Sequence, residues 1–452
     1  MLKGMSVAAT TLGCKVNQAE TDSMLDMLKA AGANIVEFDE KADIYIVNTC
    51  SVTNIADKKS RQRLHRARKM NPDGIVIAAG CYVQSAREIL EQDEAIDIVI
   101  SNNKKKSITE IVNDYINVRN NGKNAPGKDH EAMEYFVDIS RETEYEEMGG
   151  HVPVGHTRAY VKIQDGCNQF CSYCIIPYVR GRIRSRSQEA ILAEVSELAE
   201  AGIKEVVLTG IHISSYGKDK NNEGALIELI EAISKIKGIK RIRLGSLEPG
   251  IITEEFVERI SSNSKVCPHF HLSLQSGCDS VLKRMNRKYT CKQYFEKCDM
   301  LRKADKSPAL TTDVIVGFPG ETEEEFAETV RYLTELNLYE MQIFKYSPRK
   351  GTVAAAMKEQ VAPEIKNERS DVLLKLAHDN KTAYEAQFEG CELEVLVEEV
   401  VKKDNKTYLR GHTERYMDIL IDVGDISMPE SFVNSFVYVT YTQNGGNLPL
   451  LL

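Results

Sequence analysis

Short apolar runs alternate with amphipathic helical stretches along most of this chain, and that alternation limits the fold more than any other feature. Residues 6–12, 43–48, 75–79 and 96–100 read as strands, with helices expected at 17–31, 54–70 and 83–92 between them. Strands separated by helices need crossover connections, so this rhythm predicts a parallel, doubly wound sheet. The rhythm then returns. Strands are expected at 159–164, 205–209, 241–244, 269–274, 309–316 and 341–346, with helices at 188–201, 225–236, 254–261 and 323–336 among the intervening segments. Six βα units in so short a span suit a partial (βα)6 barrel better than a closed barrel of eight.

The expected α/β architecture therefore divides into parts. Residues 1–118 carry the doubly wound sheet, and residues 119–150 form a polar, aliphatic-poor linker. Residues 151–362 carry the partial barrel. A charged connecting helix over 363–389 leads to residues 390–452, whose strands at 391–401, 407–411, 417–423 and 435–443 suit a small β-barrel. With 452 residues, 42% of them hydrophobic, each part can bury a core of its own. No apolar run approaches the roughly 18 residues of a membrane span. Nor do the first residues show the basic and apolar regions of a secretory signal. The expectation is a cytoplasmic protein with no membrane partner. In that compartment thiols stay reduced, so eleven cysteines point to metal or catalysis rather than to disulfides.

Six of the cysteines fall in two patterns. Cys167, Cys171 and Cys174 lie in CNQFCSYC, directly after the first strand of the partial barrel. Three thiolates on one tight loop can hold three irons of a cubane and leave the fourth iron open to a ligand. A zinc loop or three packed thiols are the alternatives, although no His or fourth Cys stands at zinc-finger spacing. Cys14, Cys50 and Cys81 each come just past the carboxyl end of a predicted parallel strand, and in a doubly wound sheet those ends share one edge. Topology alone would gather these three thiols, again enough for a cubane with one free iron. Taken singly, each would pass for a small buried hydrophobe. Cys267, Cys278, Cys291, Cys298 and Cys391 have no cluster spacing and read as packing or inert thiols.

The segments TLGCKVNQAET, VNTCSVT, AAGCYVQ, IQDGCNQFCSYCIIPYVRGRIRSR, SLEP, HLSLQSGCDSVLKRMNRKYT and DVIVGFPGET together resemble the methylthiotransferases of the radical S-adenosylmethionine superfamily. The resemblance covers nearly the whole chain, including a C-terminal barrel similar to the TRAM module. It implies two 4Fe-4S clusters, one on each cysteine triad, together with S-adenosyl-L-methionine. In such enzymes the reduced barrel cluster cleaves the cofactor to a deoxyadenosyl radical, which takes hydrogen from C2 of an adenine. Sulfur held at the N-terminal cluster is methylated and delivered to the resulting carbon radical. The resemblance assigns the cofactor contacts to Tyr173, Gly210, Ser246, Glu248, Gln275, Ser276, Gly317, Pro319 and Glu321, all at or near barrel strand ends. It also implies an electron donor such as flavodoxin. LGCKVNQ is most similar to the branch acting on N6-threonylcarbamoyladenosine beside the tRNA anticodon. The branches acting on isopentenyladenosine in tRNA or on a ribosomal protein aspartate, and a non-enzymatic iron–sulfur RNA-binding protein, are the alternatives.

The net charge of −9 makes the protein no general magnet for nucleic acid, so an anticodon arm would need local basic patches. Two such patches adjoin the cysteines. KKSRQRLHRARK carries Arg61, Arg63 and Arg66 after Cys50, and RGRIRSR carries Arg180, Arg182, Arg184 and Arg186 after Cys174. A charge run is also how a solvated helix face looks. These runs, Arg61, Arg63, Arg66, Arg180 and Arg182 foremost, are expected to meet RNA phosphates.

Overall fold

The computed structural model describes residues 2–120, 135–149, 157–404, 406–424, 428–443 and 445–447. Strands β1 (Ser6–Thr11), β2 (Asn34–Val36), β3 (Ile44–Thr49), β4 (Ile75–Gly80) and β5 (Ile98–Ile100) form one parallel sheet in the order β2-β1-β3-β4-β5. Its central strands are buried on both faces, which is why they read as unbroken apolar runs. Ile44 and Ile46 point to the face covered by α1 (Lys15–Ala30) and α5 (Ile108–Asn120), while Tyr45 and Val47 point to the opposite face. There α2 (Asn54–Met70), α3 (Cys81–Ser85) and α4 (Arg87–Glu91) close the second core. The single helix expected at 83–92 is thus two short ones, because the backbone at Ala86 leaves the helical region (φ −139°). Strand β2 and helix α5 have no counterpart among the expected elements. The first is only three residues long and lies on an edge.

The second parallel set comprises β6 (Arg158–Asp165), β8 (Glu205–Gly210), β9 (Arg241–Leu244), β10 (His269–His271), β11 (Ala309–Val316) and β12 (Glu340–Lys345). A short β7 (Arg184–Ser185) runs antiparallel beside β6. A parallel bridge between Leu247 and Leu272 joins the β6-β8-β9 half to the β10-β11-β12 half. The arc stays open between β6 and β12 among the described residues, as a six-unit barrel should. Helices α6 (Ile176–Arg180), α7 (Gln188–Glu200), α8 (Ala225–Ser234), α9 (Glu254–Ser261), α10 (Asp279–Arg284), α11 (Cys291–Ala304) and α12 (Glu323–Leu336) alternate with these strands.

Helix α13 (Pro363–Ala386) leads to a closed barrel of β13 (Glu392–Lys403), β14 (Lys406–Thr413), β15 (Asp418–Asp422), β16 (Phe436–Thr442) and β17 (Gly445–Asn447). Val395, Val397, Leu409, Ile419, Ile421 and Val439 fill it. This barrel docks on the starts of the central strands: Arg241 donates to the His412 carbonyl (3.0 Å) and Arg158 pairs with Glu398 (3.0 Å). The cysteine loop follows a strand end, so the two features occupy opposite edges of the arc.

The N-terminal sheet unit bridges the open arc. Helix α1 packs on β6 and β8 at one end. At the other, Arg349, beyond β12, pairs with Asp57 (2.7 Å) and donates to Ser51 (2.8 Å) and Asn54 (2.7 Å). Of the expected linker, residues 121–134 and 150 lie outside the described residues, and 135–149 are a packed strap. Tyr135 enters the core under α1 and α5, and Tyr145 donates to the Lys162 carbonyl (3.0 Å). Glu147 pairs with Arg186 (2.6 Å). A few well-placed aromatic and charged residues anchor this strap, which its polar average conceals. Among the described residues no helix is long and apolar enough to cross a membrane.

Candidate cofactor sites at two cysteine triads

Cys14, Cys50 and Cys81 follow β1, β3 and β4, three neighbouring strands, so parallel pairing delivers them to one edge. Gly13 shows how tightly they meet. Its φ is +102°, and a Cβ there would lie 2.8 Å from Cys50 Sγ. Asn17 ties the Cys14 turn to the sheet by donating to the carbonyls of Leu12 (2.8 Å) and Thr49 (2.9 Å). Burial pushes the Cys14 thiol up, with charge on Cys81 acting in the same direction. The Cys50 thiol is pushed up to about 11 by burial and then by charge on Cys81 and Cys14. Cys14 and Cys50 thus lie close enough to Cys81 for charge on one sulfur to be felt at the others. Cys14 also opens onto a cavity of about 460 Å³, lined by Lys15, Gln18, Arg158 and Lys162 among others.

The second triad is local in sequence but is held from a distance. Gly166, φ +72°, turns the chain into the loop where a Cβ would sit 1.8 Å from the Arg182 carbonyl oxygen. Four consecutive residues then fasten it. The Met285 carbonyl accepts from Ser172 N (3.0 Å) and the Arg284 carbonyl from Ser172 Oγ (2.8 Å), while Asn286 donates to the Phe170 carbonyl (2.9 Å). Arg287 donates to Cys171 Sγ (3.2 Å) and pairs with Glu248 (2.7 Å). Burial, followed by charge on Cys171, pushes Cys174 up to about 12; burial pushes Cys167 up to about 11. An arginine donating to a thiol sulfur is what a thiolate ligand calls for. No three His, Cys, Asp or Glu side chains among the described residues converge as the ligands of a single metal ion do. A cubane, with its irons at separate corners, requires no such convergence.

Beside this triad lies a cavity of about 420 Å³ whose walls include Gln169, His212, Ser214, Glu248, Lys288 and Tyr289. His212 Nε2 has no hydrogen-bond partner. Of the residues expected at the cofactor, Glu248 lines this cavity. Tyr173 lies partly buried within the loop, and charge on Cys171, after burial, raises its hydroxyl pKa. Gly210 ends β8 and Ser246 is exposed after β9. Gln275 takes a left-handed conformation (φ +79°) and bridges to Val314. Gly317 and Pro319 are buried, with Gly317 against Lys366.

Two of the expected contact residues are engaged within the protein. Ser276 is 1% exposed, its hydroxyl taken by Cys278 N (3.3 Å) and Thr329 (3.4 Å), so it braces a turn. Glu321 accepts from the amides of Gly317 (3.3 Å) and Phe318 (3.4 Å) and pairs with Arg369 (2.7 Å), so it holds the turn after β11 together. Cys267, Cys278, Cys291 and Cys298 are buried and Cys391 is exposed, consistent with packing or inert thiols.

The RNA expectations divide. Arg182 is exposed and lies 4.6 Å over the ring of Phe170, which meets Tyr178 edge-on at 5.8 Å. On α2, Arg66 is exposed and paired with Asp39 (2.8 Å), Arg61 donates to the Tyr82 hydroxyl, and Arg63 lies 6.0 Å over Phe38. Arg180 is the clear correction. It is fully buried, its guanidinium shared among Glu20, Asp165, Asn17 and Cys81 Sγ, so no phosphate can reach it. Arg184 and Arg186 are buried as well. Alternating arginines after a strand end look like a phosphate patch until packing shows which way they face. The clamp from Arg284 to Arg287 has no signature of its own in the sequence; only its place within HLSLQSGCDSVLKRMNRKYT could have drawn notice to it.

Residues 161–333 match the model of the Radical SAM superfamily, and residues 6–101 match that of the Uncharacterized protein family UPF0004. The Threonylcarbamoyladenosine tRNA methylthiotransferase MtaB of Bacillus subtilis (strain 168) is 39% identical over 92% of this chain and 90% of its own length. A tRNA-2-methylthio-N(6)-dimethylallyladenosine synthase of Thermoanaerobacter pseudethanolicus is 36% identical over 96% and 90%. Among solved structures, the radical S-adenosylmethionine methyltransferase TsrM of Kitasatospora setae, with cobalamin and a [4Fe-4S] cluster bound, covers 76% of this chain and 77% of its own. Its TM-score is 0.54 at 15% identity, a likeness of fold.

Proposed function

The chain belongs to the tRNA methylthiotransferases of the radical S-adenosylmethionine superfamily, and from that premise we propose that it uses two 4Fe-4S clusters to methylthiolate N6-threonylcarbamoyladenosine beside the tRNA anticodon. A 4Fe-4S cluster and S-adenosylmethionine come with the superfamily. Cys167, Cys171 and Cys174 would hold the cluster that works with S-adenosylmethionine, and Cys14, Cys50 and Cys81 the second. When bound, these groups supply a 5′-deoxyadenosyl radical on one side and a carrier for sulfur on the other. The residues do the positioning. Arg287 braces Cys171 and holds the Glu248 carboxylate at the cavity wall, where it can accept a hydrogen bond from a ligand amine. The clamp from Arg284 to Arg287 keeps the cysteine loop in one conformation, and the strap over 135–149 joins the two units.

The observation that carries the reading is the junction itself. Arg180, six residues after Cys174, reaches Cys81 Sγ of the other triad at 3.2 Å, and Cys81 packs with Ile175 and Val179, so the segment that follows one triad is seated against a thiol of the other. Support for the substrate comes from the 39% identity to a relative named for threonylcarbamoyladenosine and from the Lys15-Val16-Asn17 segment after Cys14. Exposed Arg182 and Tyr178 beside one triad, and Lys58 and Lys59 early in α2 after Cys50, suit an anticodon arm laid across the junction. We further propose a cytoplasmic reaction that draws its electron from a flavodoxin-like protein. The test offers tRNA bearing threonylcarbamoyladenosine, tRNA bearing isopentenyladenosine, and a ribosomal protein acceptor, followed by mass spectrometry. The methylthio product should form from the first alone. Turnover of either of the others without the first overturns the substrate assignment.

A further inference from the structure

We propose that Arg180 is the positioning residue of the N-terminal cluster: its buried guanidinium holds the Cys81 ligand and, with the cationic network around it, sets the cluster's reduction potential. This inference rests on the two-cluster reading above. Arg180 ends α6, the helix that follows the cysteine loop of the central barrel, yet Nε donates to Cys81 Sγ at 3.2 Å and Nη2 to Asn17 at 2.5 Å, both across the boundary. Asn102 Nδ2 lies 3.8 Å from the same sulfur. Around Arg180, Lys162 Nζ meets Glu20 (2.7 Å) and Asp165 (2.6 Å), and Lys105 pairs with Glu20. Arg184 stands 3.9 Å from Asp165. Every side chain in this group is 8% exposed or less.

The balance of charge is what points to a ligand. Four cations, Arg180, Lys105, Lys162 and Arg184, face three carboxylates, Glu20, Asp165 and, beside Lys105 and Lys162, Glu146. An excess of buried positive charge is costly unless something anionic completes it. The thiolates of Cys14, Cys50 and Cys81 outweigh the core charge of an oxidised cubane, so a cluster on this triad is anionic and completes the network. Hydrogen bonds to ligand sulfur and nearby net charge are two of the means by which a protein sets a cluster potential. Removing the cation should therefore make the cluster harder to reduce, and removing the anion should make it easier. A residue that merely packs would produce neither shift.

The experiment uses the full chain with Cys167, Cys171 and Cys174 changed to alanine, reconstituted anaerobically so that one triad remains. Iron content is measured first, then the midpoint potential by redox titration followed by electron paramagnetic resonance. Arg180→Gln should lower the potential, Arg180→Lys should restore part of it, and Glu20→Gln should raise it. Absence of iron from the parent of this series would overturn the two-cluster reading itself. Iron bound normally, with the potential unmoved in Arg180→Gln, overturns this inference alone. Should Arg180→Gln fail to fold or to load iron, Glu20→Gln decides: a raised potential supports the proposal, and an unchanged or lowered one overturns it.

Discussion

The loop triad and the strand-end triad meet the same demand, three thiols in one place, from opposite directions. Cys167, Cys171 and Cys174 are neighbours in the chain, yet their loop depends on Arg284–Arg287, more than a hundred residues away, to hold it. Cys14, Cys50 and Cys81 are far apart in the chain, yet the register of three adjacent parallel strands brings them to one edge. Local spacing brings cysteines close and leaves their conformation open. Sheet topology defines the conformation and needs no local spacing. The same contrast appears in the arginines: Arg287 braces a triad from its own unit, and Arg180 braces one from the neighbouring unit.

Removing one thiol from each triad puts this contrast to its hardest test. Cys171→Ala should abolish both cofactor cleavage and methylthiolation, and iron should fall by one cluster's content. Formation of 5′-deoxyadenosine by that variant would assign the radical chemistry elsewhere. Cys50→Ala should lose methylthiolation completely while still producing 5′-deoxyadenosine, because its sheet does not carry the other loop. Normal product from Cys50→Ala would reduce the strand-end triad to packing. Arg287→Gln should act on the loop triad alone. A ligand brace of this kind is worth about 10- to 100-fold in metal retention or activity, and iron loss from the N-terminal triad as well would show that the clamp is not local. The smallest effect is expected from Arg61, Arg63 and Arg66 replaced together by glutamine. Binding of tRNA should weaken, and the log–log dependence on salt should flatten by roughly 0.7 to 0.9 for each phosphate no longer neutralised. Both clusters should remain. A salt dependence identical to that of the parent would confine α2 to a solvated face, as the pairing of Arg66 with Asp39 already permits.

Much of this architecture is legible in the sequence because it follows from short-range rules. Alternation of apolar runs with helical stretches marks the strands Ile44–Thr49 and Ala309–Val316. Strands as short as Asn34–Val36 carry too few residues for a period, and the break at Ala86 has neither Gly nor Pro to announce it. The strap over 135–149 stays hidden because a few anchors, Tyr135, Tyr145 and Glu147, sit among polar residues.

That thiols would gather at strand ends follows from their positions along the chain. Cysteines placed just after parallel strands share an edge whatever the packing, and three in one loop cannot drift apart. The direction in which charged side chains point had to await packing. Arg180 and Arg182 are two residues apart and chemically identical, yet one is fully buried against Cys81 and Glu20 while the other is exposed over Phe170. The partner that captures Arg180 lies 160 residues earlier in the chain. A guanidinium is buried only where carboxylates or other acceptors receive it, and here those acceptors are supplied by the N-terminal unit packed against the central one.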